Sequence, residues 1–277
     1  MRIDAHQHFW DLTRGDYGWL TKDLVPIYRD FLPEHLAPLL QANGIEGTVL
    51  VQAAPTVAET EFMLALADKT PFVKGVVGWV DFEDPGAPGQ IARLAEHDVL
   101  VGLRPMIQDI PDKDWMLRPD LTPAFEALIA ANLTFDALTL PMHLPNLREL
   151  LARHESMRVV VDHGSKPLIE DGTREPWASD MVAIAANSSA FCKLSGLVTE
   201  ARSDWTVTSL RPYVDHLLST FGPLRLIWGS DWPVCTLASS YDRWLEATHD
   251  LLGELSEDER AAILGGNAQR AYNLRLS

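Results

Sequence analysis

Residues 1–9, MRIDAHQHF, decide the fold: counted as a strand, they raise the strands readable along the chain from seven to eight. In extended backbone alternate side chains share a face, so Asp4, His6 and His8 project together while Ala5 and Gln7 point away. Three such groups on a buried face are costly unless they pair, bind a metal or do chemistry. The same pattern also fits an exposed edge strand or paired core histidines.

Outward from this stretch, a polar and aromatic segment with Gly15, Tyr17, Gly18, Trp19 and Tyr28 is too long and irregular for a tight turn, and long ordered loops are often functional. Strand and helix signals then alternate. Leu36, Leu39 and Leu40 stand at helical spacing between Pro33 and Asn43, with Gly44 as the stop. GTVLVQAA follows as a strand. A helix from Glu59 to Lys69, the strand FVKGVVGWV, a helix from Pro88 to His97 and the strand VLVGLRPM continue the series. Next come a helix over Pro123–Asn132, the strand LTFDALTL, a helix over Pro145–His154 and the strand RVVVDHG. A helix over Pro176–Asn187, FCKLSGL, a helix over Ser209–Phe221 and LRLIWGSDWP complete the repeats, and a capping box at Ser256 and Glu259 marks terminal helices.

Apolar, β-branched strands separated by single helices indicate a parallel sheet covered on both faces. A (β/α)8 TIM-type barrel is the simplest closure, in an α/β chain of 277 residues read as one domain, 1–277. A doubly wound open sheet is the alternative. No glycine-rich phosphate loop follows the first strand, which removes support for its nucleotide-binding form.

The formal charge of −16 opposes binding to nucleic acid or an anionic membrane, excludes both as main partners and mildly favours a neutral substrate. Cys192 and Cys235 make no disulfide framework and no CxxC motif, which fits a reducing cytoplasm. No signal peptide precedes the first strand, and no apolar run has transmembrane length.

In a barrel, residues at the C-terminal strand ends form the active face. Polar residues gather there: His6 and His8, Gln52, Arg104 and Gln108, Asp136 leading to His143, Asp162 and His163 followed by Lys166, and Asp231. His35, His97, His154, His216 and His249 lie in or beside helices and read as surface or helix-end residues. Lys193, inside the seventh strand, needs a partner and reads as either structural or functional.

DAHQH on the first strand, VVVDHG, IWGSDWP and a terminal GGNAQRAY together resemble the amidohydrolase superfamily, in its amidohydrolase-2 branch. They are most similar to the sugar-lactonase group that includes fuconolactonases and rhamnonolactonases. The resemblance runs from Asp4 to Leu274 and implies metal-site positions at His6, His8, His163 and Asp231. Imidazoles and a carboxylate suit zinc. Two departures stand out: LTFDALTL lacks the lysine that would bridge two metals, and no histidine follows FCKLSG until His216. The lactonase group includes members that work without a divalent metal, so zinc is expected to bind weakly and not to be required.

The reaction implied is opening of a small neutral sugar lactone, L-fuconolactone or a close relative, to the aldonic acid. Asp231, with His163 beside it, is the candidate base for water. Arg104, then Lys166 and His143, are candidates to hold the carbonyl oxygen or protonate the leaving oxygen. Trp10, Trp19 and Trp232 offer flat faces for a sugar ring, and Gln52 and Gln108 offer hydroxyl contacts. Two other readings compete: a metal-dependent hydrolase or decarboxylase of the same branch acting on a carboxylated substrate, and an inactive barrel that binds a sugar acid. No surface for a protein partner is legible.

Overall fold

A computed structural model describes residues 1–275. Eight parallel strands pair in chain order: β1 (Ile3–Gln7), β2 (Gly47–Val51), β3 (Val73–Gly78), β4 (Leu100–Leu103), β5 (Thr134–Ala137), β6 (Val159–Val161), β7 (Phe191–Leu194) and β8 (Leu226–Trp228). The sheet closes on itself where Gln7 bridges Trp232. There His8 N donates to Trp232 O at 2.7 Å and Asp231 N donates to His6 O at 2.7 Å. The fold is the expected (β/α)8 barrel.

Between strands run α1 (Pro33–Asn43), α2 (Val57–Ala67), α3 (Ala87–Leu94), α4 (Thr122–Ala130), α5 (Leu144–Arg153), α6 (Trp177–Asn187) and α7 (Val207–Phe221). After β8 come α8 (Tyr241–Leu251), α9 (Glu257–Ala261) and α10 (Asn267–Ala271). Their ends follow local chemistry. Gly44 takes the left-handed conformation that ends α1, and the Ser256–Glu259 capping box opens α9 as expected. No helix among the described residues is long and apolar enough to cross a membrane.

Two apolar layers follow from strand alternation. Leu50, Leu103, Phe135, Cys192, Leu194 and Trp228 belong to the layer shared with the helices. Ile3, Val49, Val77, Val160 and Ile227 pack together with Ala268, Ala271 and Tyr272 from the C-terminal segment, which covers the end of the barrel opposite the site.

Two expectations change. Several strands are shorter than read: Arg104, Asp162, His163 and Asp231 fall just beyond β4, β6 and β8, where the backbone leaves the ladder and the side chains converge. Asp4 does not share a face with His6 and His8. A register shift between Asp4 and Gln7 interrupts the alternation, and Asp4 instead accepts from Ser230 N at 2.8 Å and from the Tyr241 hydroxyl of α8 at 3.1 Å. Burial raises its carboxyl to about 6.

Candidate active site

The loop after β1 is ordered by its own aromatics. Trp10 and Phe31 exchange backbone hydrogen bonds of 2.8 and 2.9 Å, and Trp10 Nε1 donates to Arg29 O at 2.7 Å. The loop carries Trp19 over the barrel mouth, where its Nε1 donates to Ala53 O at 2.6 Å. Beneath lies a cavity of about 180 Å³, lined among others by His8, Trp19, Arg104, His163, Lys166 and Asp231. It adjoins a second, more apolar cavity of about 480 Å³ through Trp19, Met106 and Asp109.

His6, His163 and Asp231 each offer one ligand atom, and these atoms lie within 4.8 Å of one another. His8 joins them closely: its Nε2 is 3.2 Å from His6 Nε2 and 3.3 Å from Asp231 Oδ1. Backbone geometry brings the set together at some cost. His163 and Asp231 have φ of 52° and 59°, a left-handed conformation costing on the order of 1–3 kcal/mol per residue. The His6 carbonyl holds Asp231 N in that position. Gly196 is required beside them, because with φ of 64° a Cβ there would lie 2.5 Å from His163 Nδ1.

Hydrogen bonds define which ring nitrogens face the set. His8 Nδ1 donates to Val51 O at 2.7 Å, which turns Nε2 toward His6 and Asp231. His163 Nδ1 pairs with Ser195 Oγ at 2.8 Å. Burial pushes the His163 imidazole down to about 4, so it is neutral at pH 7. Burial also drives His6 well below its ordinary value, and the nearby Lys193 charge adds to that. Burial by itself would raise Asp231, but His163, His8 and His6 outweigh it and hold the carboxyl low, so Asp231 is ionised.

Below this layer lies an ionic one. Lys193 Nζ is 2.6 Å from Asp136 Oδ2, 2.8 Å from Asp162 Oδ1 and 3.1 Å from His6 Nδ1, all fully buried. The Tyr272 hydroxyl, just past α10, donates to Asp136 at 2.7 Å. Arg104 NH1 reaches Asp162 Oδ2 at 3.3 Å, while NH2 donates to the carbonyl and side-chain oxygens of Gln52. Desolvation opposes ionisation of Asp162, yet Lys193, His6 and Arg104 drive its carboxyl well below the usual range.

The structure thus gathers His8, His163, Asp231, Arg104, Lys166 and Trp19 on one cavity, with His6 directly beneath. Lys166 is half-buried and 3.4 Å from Glu200. Gln52 braces Arg104 from below and does not line the cavity. Trp232 packs edge-on against Phe9 and Phe31, and Trp10 against Phe31, both behind the site. His143 is also away from the cavity wall; its Nδ1 accepts from Leu140 N at 3.1 Å in the turn before α5. Sequence reasoning gave no role to Asp162 or Ser195. A signal for Asp162 was present in Lys193, a lysine among apolar strand residues that required buried carboxylates.

The chain matches the amidohydrolase family model over residues 3–274. It is 45% identical, over 99% of its own length and 96% of the relative's, to an L-fucono-1,5-lactonase from Burkholderia ambifaria. Over 74% of its length and 68% of the relative's it is 25% identical to an L-rhamnono-gamma-lactonase from Scheffersomyces stipitis. An amidohydrolase structure from Burkholderia multivorans with bound zinc superposes with a TM-score of 0.93 at 36% identity, covering 99% of this chain and all of that one.

Proposed function

The chain belongs to the amidohydrolase family, and from that premise we propose that it is a sugar lactonase, opening L-fucono-1,5-lactone or a close relative to the aldonic acid, in one domain spanning 1–277. The observation that carries the mechanism is the contact of Asp231 Oδ1 with His8 Nε2 at 3.3 Å, which holds the carboxylate at the cavity. A carboxylate oxygen fixed there can accept a proton from a water molecule in the cavity.

Asp231 takes a proton from that water as its oxygen attacks the lactone carbonyl. The carbonyl oxygen gains charge, and the Arg104 and Lys166 cations on the same wall stabilise it. As the ring C–O bond breaks, the proton held by Asp231 passes to the departing ring oxygen, which completes addition of water across the bond. His8 and His163 hold Asp231 in place. Trp19 presents its face to the sugar ring, and Gln108, whose Oε1 is buried without a partner among the described residues, accepts from a ring hydroxyl.

His6, His163 and Asp231 fit a divalent ion by distance and donor type. When bound there, zinc would polarise the carbonyl and acidify water. The proposed reaction does not require it, because an activated ester in a ring yields to a positioned base and fixed cations. The buried free thiols of Cys192 and Cys235 suit a reducing cytoplasm.

A panel of neutral aldonolactones and carboxylated lactones, followed with a pH indicator, tests the reading. Fastest turnover of a six-carbon deoxy-aldonolactone supports it, and preference for a carboxylated substrate would overturn it.

A further inference from the structure

The cavity that holds Asp231 measures about 180 Å³. Small-molecule sites commonly span roughly 300–1,000 Å³, so this one has room for little beyond a single lactone ring. The outer cavity of about 480 Å³ lies directly beside it, with Trp19, Met106 and Asp109 lining both. Its other walls follow neighbouring strands: Trp79 and Phe82 come just after β3, and Pro105 and Ile110 just after β4.

The two cavities differ in chemistry. Arg104 and Lys166 line the inner one, whereas no Lys, Arg or His among the described residues lines the outer one. The polar atoms of its indoles are largely engaged within the protein. Trp115 Nε1 donates to Glu83 at 2.9 Å and Trp19 Nε1 donates to Ala53 O at 2.6 Å, so these rings offer a ligand their carbon surfaces. Met106, at the junction, has a flexible thioether that adapts to the shape of an apolar group. The charged residues of the outer lining are all acidic. Asp16 pairs with Arg14 at 2.5 Å and Glu83 with Arg118 at 3.0 Å, but exposed Asp81 and Asp109 make no ion pair among the described residues. An anion entering there meets unpaired carboxylates, and an uncharged apolar group does not.

We propose that the outer cavity is a second subsite of the active site, taking an uncharged apolar substituent carried on the lactone ring. This rests on the lactonase reading, in which the carbonyl is held by the cations of the inner cavity. In a 6-deoxy lactone the exocyclic methyl is the one substituent without oxygen, and an alkyl chain extends from that position. The substrate range then includes lactones with longer apolar tails and excludes those whose tails end in a carboxylate.

The test compares kcat/KM for L-fucono-1,5-lactone, for its homologue with the methyl lengthened to pentyl, and for the same homologue ending in a carboxylate. One methylene in a hydrophobic pocket changes discrimination by about 10–200-fold, so the pentyl homologue is expected to gain at least about tenfold over the methyl compound. The carboxylate should lose that gain. Ile110→Trp fills the outer cavity from a half-buried position and should lower the pentyl-to-methyl ratio, a ratio independent of the folded fraction. An equal or lower value for the pentyl homologue in the unaltered protein would overturn the proposal, as would an undiminished ratio in Ile110→Trp. Calorimetric binding of 2-naphthol and of 2-naphthoate separates this inference from the reaction it rests on. Binding of neutral naphthol alone, weakened in Ile110→Trp, supports the subsite even where no lactone is turned over, a result that would remove only the lactonase reading. Turnover of L-fucono-1,5-lactone without naphthol binding or a tail effect would leave that reading and overturn the subsite.

Discussion

His8 Nε2 and Asp231 Oδ1 stand 3.3 Å apart although 223 residues separate them in the chain. That contact exists because β1 and β8 close the barrel, and it is made by a carboxylate in left-handed backbone held by the carbonyl of His6. The chemistry of the site follows from it.

Replacing the base tests the contact first. Asp231→Asn keeps the shape and removes the proton acceptor, so kcat should fall on the order of 10²–10⁴-fold with KM nearly unchanged. Steady-state rates over a range of lactone concentrations separate the two. A variant with normal kcat would remove Asp231 from the mechanism.

Arg104 is expected to act in both stability and rate. Arg104→Ala leaves Asp162 with one fewer cation in a fully buried place and frees the oxygens of Gln52, so urea unfolding should register a loss of about 3–5 kcal/mol. If its charge also stabilises the carbonyl oxygen, the folded fraction should lose more than about tenfold in kcat/KM, or about 1.4 kcal/mol. A smaller loss would confine Arg104 to bracing.

Gly196→Ala tests the close approach. A methyl group 2.5 Å from His163 Nδ1 must displace the ring from Ser195. Activity is expected to fall more than stability, because the imidazole moves relative to Asp231. A crystal structure of the variant with His163 undisturbed, together with full activity, would contradict this.

The pH dependence of stability isolates His163. Its folded value, about 4, lies below the unfolded value of 6.5, so between these limits the unfolded chain binds a proton that the folded chain does not. Stability is therefore lost as pH falls from about 6.5 to 4, by up to roughly 3 kcal/mol from this ring. His6, also pushed down, acts in the same direction, whereas Asp4, raised to about 6, acts in the opposite one. The contribution of His163 is read as a difference: His163→Gln should lose less stability than the parent between pH 7 and pH 4.5 in urea titrations.

Strand–helix alternation was legible because helical spacing and β-branched runs are local, and α1 has the bounds read from Leu36, Leu39, Leu40 and Gly44. The polar residues at strand ends were legible for a related reason, since apolar side chains fill most other inward positions. What escaped was non-local. The register shift in β1 that removes Asp4 from the site depends on pairing with β2, and the inward turn of Arg104 toward Gln52 depends on neighbouring strands. His143 and Trp232 looked like site residues by position, but turn geometry and aromatic packing direct them elsewhere. Lys193 was conspicuous by itself, yet its partners Asp136 and Asp162 come from two other strand units.

The most direct measurement is kcat/KM for L-fucono-1,5-lactone with protein dialysed against chelator and shown by elemental analysis to be free of divalent metal. The account predicts full turnover in that state, lost in Asp231→Asn. Activity that appears only when zinc is restored would contradict it and make His6, His163 and Asp231 ligands of a required metal.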